Sequence, residues 1–162
     1  MKLATFIKGG ERRVGAVIND GLIDLTRRLG IASVRQALTD ARTAEAERAA
    51  ETGTADFRLA DVTLDLPLPD PGKILCVGVN YLNRNAEYKD GSEAPKYPSL
   101  FMRTPLSFVA PGASLVIPHE SVELDYEGEI VLVIGKSGRR IRFGHRRAMA
   151  PASPKLKPRF PR

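Results

Sequence analysis

The chain has 162 residues, 43% of them hydrophobic, which leaves room for one domain, or for a small domain and part of a second, around a packed core. It contains no run of eighteen apolar residues, no leader with a cleavage site and only one cysteine, which excludes a transmembrane helix, a secretory signal and an internal disulfide framework. Its net charge of +6 is concentrated in residues 142–162, whose seven Lys or Arg exceed that excess and leave residues 1–141 with one net negative charge.

Two short β-like runs, KLATFIK (2–8) and RRVGAVI (12–18), flank Gly9, Gly10 and Glu11, the pattern of a hairpin with a glycine-containing loop. Asn19-Asp20-Gly21 makes the next turn, and LIDLT continues as a third short strand. Ser33 opens a helix with capping-box spacing to Gln36. Val34, Ala37, Leu38 and Ala41 line one side, and the helix is predicted to run to about Ala50. FRLADVTLDL reads as another strand. PLPDPG (67–72) then marks a boundary, so residues 1–66 are expected to form a small N-terminal domain.

Beyond the prolines, KILCVGVN reads as a buried strand, with Cys76 as a small core residue. YLNRNAEYKDG fits a short helix or a loop, and YPSLFMR (97–103) and ASLVIP (113–118) read as further strands. Many strands and few helices, without regular βαβ alternation, indicate an α+β fold with a mostly antiparallel or mixed sheet. A basic patch interleaved with aromatics on a folded face is missing, so nucleic acid is not expected as a partner. The cytoplasm is the expected compartment.

The stretch ELDYEGEIVLVIG (123–135) is unusual. Glu123, Asp125, Glu127 and Glu129 alternate along a strand that then becomes apolar on both faces. On a continuous strand the Cα atoms of Glu127 and Glu129 would lie about 6.5 Å apart, close enough for both side chains to reach one point. Two such carboxylates are relieved by protonation or by a cation between them. Oxygen-only ligands suit Mg²⁺, Mn²⁺ or Ca²⁺, whereas a lack of neighbouring Cys or His argues against zinc. A solvated face of an antiparallel sheet gives the same spacing, and both readings stand. Gly128, between the two glutamates, is a place where another backbone could approach closely.

A second group follows the KILCVGV strand. Gly78, Asn80 and Tyr81 stand where a strand ends and ligand-facing loops often begin, although Asn80 could equally cap a helix. Ser99 and Arg103 are weaker candidates for substrate contact. His119 follows Pro118 and reads as a loop residue.

The runs KILCVGVNYLNRNAEYKDG, YPSLFMRTPLSFVAPG and LDYEGEIVLVIGK, in that order over roughly residues 73–140, resemble the fumarylacetoacetate hydrolase superfamily. The part before them is similar to the small N-terminal domain that many bacterial members carry. The resemblance implies a metal-dependent enzyme on a β-rich catalytic domain of mixed sheets, working as a homodimer on a small-molecule oxo acid. Glu127 and Glu129 match the family's E-x-E motif and are implied ligands of Mg²⁺ or Mn²⁺. Asn80, Tyr81 and Arg84 are implied to face the substrate. The implied reaction is hydrolysis of a carbon–carbon bond in an acylpyruvate or 1,3-dicarbonyl acid through a metal-stabilised enolate. Many members carry a water-activating histidine where this chain has Arg84, which leaves isomerase, decarboxylase and lyase variants open.

The same resemblance implies a catalytic domain that continues past residue 141 and supplies a third carboxylate. Residues 142–162 hold no acid, and four of the last twelve are proline. The reading is a partial catalytic domain over 67–141 and an unrelated, disordered basic tail over 142–162, such as a frameshift would leave. On that reading the sheet keeps an unpaired edge and an exposed core surface, favouring aggregation or dimerisation. A non-catalytic remnant with a binding or structural role is the alternative to an enzyme.

Overall fold

The structure, a computed structural model, describes residues 1–79, 96–135, 138–139, 149–151 and 155–159. It divides into two compact units, one of Met1–Pro67 with Val109–Arg162, the other of Leu68–Phe108. The chain thus divides after Pro67, one residue from the expected boundary at 66, and again after Phe108. Residues from 109 onward group with the N-terminal part, and Gly135 approaches Leu38, to which a Cβ built on the glycine would lie 3.6 Å away.

The N-terminal sheet begins with β1 (Lys2–Lys8) and β2 (Glu11–Ile18), joined through Gly9 and Gly10 at φ of 60° and 80°. Both glycines adopt the left-handed region that a tight hairpin turn requires. With β3 (Gly21–Asp24), β4 (Phe57–Arg58) and β5 (Thr63–Asp65), the order is β4-β3-β2-β1-β5 and every pairing is antiparallel. Gly15 on β2 lies so close to Leu22 of β3 that any Cβ there would overlap the leucine side chain. This is close packing that only glycine allows.

Where LIDLT was expected to continue as strand, the chain turns into helix α1 (Leu25–Leu29). The buried Asp24 explains the switch, since its Oδ1 accepts from the Arg27 N–H at 2.9 Å and caps the helix. Ser33 caps α2 (Val34–Thr39) as its spacing predicts, its Oγ accepting from the Gln36 N–H at 3.0 Å. The single helix expected to reach Ala50 is broken. Ala41 takes φ 55°, and the helix restarts as α3 (Thr43–Thr52). FRLADVTLDL is likewise divided by a 3₁₀ turn at Leu59–Asp61. Phe6, Val14, Ala16, Leu22, Ile23, Leu25, Ile31, Ala37 and Ala46 close a core between this sheet and the helices.

Arg28 grips Asp56 with two hydrogen bonds, at 2.9 and 2.8 Å, and Asp56 also accepts the Asp24 N–H at 2.8 Å. The Arg28 guanidinium holds the Asp56 carboxyl below the usual carboxylate range, outweighing its partial burial. A depressed folded-state pKa adds stability above the ordinary carboxylate value, and that stability is lost as pH falls through the folded value. The melting temperature should therefore be steady from neutral pH to about 5 and fall below about 4. Asp56→Asn should melt lower at neutral pH and lose less on acidification. A variant with the wild-type acid dependence would contradict this assignment.

In the second unit, β6 (Ile74–Gly78) and β7 (Ser99–Arg103) form an antiparallel pair. KILCVGVN was expected to be buried, yet only Cys76 is, and Leu75 and Val77 are exposed. Among the described residues, nothing in the second unit covers that side of the hairpin. In the first unit, 113–118 forms no strand and its side chains are largely exposed, because ASLVIP gains no pairing partner. ELDYEGEIVLVIG is not one buried strand either. It divides into β8 (Glu123–Glu127) and β9 (Ile130–Leu132), whose apolar residues are exposed.

Residues expected to lie in a disordered tail pair with these two strands. β10 (Met149–Pro151) runs antiparallel to β9, and β11 (Lys155–Arg159) antiparallel to β8. Proline is tolerated there because each is an edge strand, which need not donate on its outer side. All described pairings are antiparallel, whereas the resemblance implied mixed sheets. The fold is α+β. Among the described residues no helix is long and apolar enough to cross a membrane.

Candidate functional site

Glu127 is the last residue of β8, and Glu129 follows two residues later, half-buried, just before β9. The break between the strands falls on Gly128. A Cβ placed there would meet nothing within 4 Å, so the glycine does not admit a neighbouring backbone as its position suggested. It instead leaves open space beside the two glutamates. A hard divalent cation fits this donor set in kind, since both side chains offer carboxylate oxygen. Among the described residues, no three acidic, His or Cys side chains gather as a metal site would need.

The register of β8 with β11 sets Glu127 opposite Lys155, Asp125 opposite Lys157 and Glu123 opposite Arg159. Each acid of the strand thus has a basic residue as its cross-strand partner.

Asn80, Tyr81, Arg84 and His145 lie outside the described residues. The chain leading to them is unusual. Val79, directly after β6, takes φ 54°. A β-branched residue in the left-handed region costs on the order of 1–2 kcal/mol, and such strain gathers at functional positions. Gly78, the glycine just before it, ends β6 without a positive φ. No signal in the local sequence points to Val79. Ser99 and Arg103 are exposed on β7, the Arg103 guanidinium 5.8 Å from the Phe101 ring centroid. His119 is an exposed loop residue, and Cys76 is buried, as a small core residue should be.

Residues 73–150 match the family described as fumarylacetoacetate hydrolase, C-terminal. The match begins where the resemblance did and extends nine residues beyond the boundary expected at 141. The oxaloacetate tautomerase YisK of Bacillus subtilis is 40% identical over 94 residues, 56% of this chain and 31% of that protein. The mitochondrial oxaloacetate tautomerase fahd2 of Xenopus laevis is 37% identical over 83 residues, 51% of this chain and 25% of that protein. Among solved structures, maleylpyruvate hydrolase from Sphingobium sp. SYK-6 aligns with a TM-score of 0.64 and 27% identity, over 87% of this chain and 52% of that one. The same enzyme in complex with manganese(II) and pyruvate aligns with a TM-score of 0.62 and 26% identity. The chain spans less than a third of the length of these two curated relatives and about half of the hydrolase chain. With a matched family segment, enzymes as relatives and a shared α+β fold, residues 73–150 of the chain belong to the fumarylacetoacetate hydrolase family.

Proposed function

We propose that this chain carries the acidic half of a divalent-metal site in an enzyme that enolises a small 2-oxo acid of the oxaloacetate class. The observation that carries this reading is the pair Glu127 and Glu129, set on either side of the open Gly128 within the segment matched to the family. Those two carboxylates would hold Mg²⁺ or Mn²⁺. When bound, such an ion supplies Lewis-acid stabilisation of negative charge on a carbonyl oxygen.

Arg84 favours tautomerisation over hydrolysis. Keto–enol exchange moves one proton between carbon and oxygen and consumes no water. Hydrolysis needs a group that takes a proton from water, and a guanidinium stays protonated at neutral pH. Arg84 would serve as a fixed, bidentate anchor for a substrate carboxylate. The curated relatives named as tautomerases support this reading. Hydrolysis of an acylpyruvate is the second reading, supported by the likeness to maleylpyruvate hydrolase and its manganese–pyruvate complex.

Calorimetric titration with Mn²⁺ tests the site without turnover. Glu127→Gln and Glu129→Gln should each weaken binding by on the order of 100-fold. Unchanged affinity in both variants would refute the site. The rate of oxaloacetate keto–enol exchange, set against carbon–carbon cleavage of an acylpyruvate, then separates the two reactions.

A further inference from the structure

We propose that β11 regulates the cation site as a built-in competitor. Lys155, at the register position of Glu127, competes with a divalent ion for that carboxylate, so the tail strand sets how tightly the ion binds. The proposal rests on the reading of Glu127 and Glu129 as the acidic half of a metal site and concerns the regulation of that site.

β8 and β11 pair antiparallel, and the register sets Lys155 directly across from Glu127. Directly opposed residues of such a pair share one face of the ladder, with Cβ atoms about 4.5–5.5 Å apart. A lysine placed there can serve the same carboxylate that a cation would use. The other tail strand reaches the far end of the glutamate pair. β10 sets Pro151 across from Ile130, the residue that follows Glu129. The two tail strands therefore stand on either side of the Glu127–Glu129 link, where Gly128 leaves open space. β11 lies beyond residues 73–150, so its pairing with the acidic strand is a feature outside the matched family segment.

Distance separates the three cations of β11. Lys157 and Arg159 stand opposite Asp125 and Glu123. At about 3.3 Å per residue, the Arg159 position is roughly 13 Å along the strand from that of Lys155. Physiological salt leaves exposed charges coupled over only about 8 Å. Of the three, Lys155 is thus the one placed to compete for Glu127, and Arg159 serves as a control on the same strand. Such competition is reciprocal. Whatever factor β11 takes from ion binding, a bound ion takes from the pairing of β11.

The test titrates the full 162-residue chain with Mn²⁺ alone, by calorimetry. Lys155→Ala should tighten binding by on the order of tenfold. Lys155→Arg, which keeps the charge, should restore affinity to within about twofold of wild type, and Arg159→Ala should change it by less than about twofold. Saturating Mn²⁺ should speed amide exchange across Lys155–Arg159 while exchange in β1 and β2 stays as before, and unchanged exchange in β1 and β2 also shows that each variant is folded. Unchanged affinity in Lys155→Ala would overturn the proposal, as would equal tightening by Arg159→Ala or slower exchange in β11 on adding Mn²⁺. The two readings fail separately. If Glu127→Gln and Glu129→Gln leave Mn²⁺ affinity unchanged, the site is refuted and the competition with it; if they weaken binding and Lys155→Ala does not tighten it, the competition alone is refuted.

Discussion

Asp24→Ala should lower the stability of the N-terminal unit by about 3 kcal/mol, combining loss of a buried charge partner with loss of a helix cap. Asp24 is fully buried and reaches three elements. Its Oδ2 accepts from Arg13 of β2 at 3.0 Å, its Oδ1 from the first turn of α1, and its own N–H donates to Asp56. Arg13 is only partly covered and is also bound to Glu11, so water can reach the abandoned guanidinium. That access keeps the cost at the lower end of what breaking a buried pair entails. Asp24→Asn retains an acceptor for the cap and should lose roughly half as much. For a unit of this size the alanine variant should melt on the order of 15 °C lower. A shift of a degree or two would mean that Asp24 ties neither β2 nor α1 in place.

Phe6→Ala should cost about 3–5 kcal/mol, the range for deleting a buried aromatic ring. Phe6 is wholly buried on β1, its ring centroid 5.9 Å from that of Phe57 and tilted by 56°. Its removal leaves a cavity in the middle of the β4-β3-β2-β1-β5 sheet, where the neighbouring strands cannot collapse inward. Phe57→Ala should cost less, because Phe57 is half-buried on the edge strand β4. Urea unfolding followed by circular dichroism measures both, and equal losses would contradict the burial difference.

The N-terminal sheet was largely legible in the sequence because its signals are local. Gly9 and Gly10 between two apolar runs can do little but form a hairpin, and Ser33 with Gln36 announces a helix start. The switch at Asp24 was missed because LIDLT has strand composition, while the decision is made by one carboxylate finding the Arg27 amide. The break at Ala41 was missed for a related reason. Alanine is the strongest helix former, and nothing local marks it for a left-handed φ.

The family was legible from three ordered motifs. Burial in that region was not. IVLVIG and KILCVGVN have the composition of core strands, and composition reports what a strand would pack against, not whether that layer is present. Pairing of the basic residues with the acidic strand was also hidden, because ELDYE and KLKPR lie some thirty residues apart along the chain.

That antiparallel match alters what a passing polyanion would encounter. Lys155, Lys157 and Arg159 are three of the seven cations in the last twenty-one residues, and each stands beside a carboxylate-bearing residue. Seen from beyond a Debye length, about 8 Å at physiological salt, such couples act as weak dipoles and no longer as monopoles. The count of seven cations in the tail therefore overstates its pull on phosphate-rich surfaces, while the whole-chain excess of +6 already includes these acids and is unchanged by the pairing.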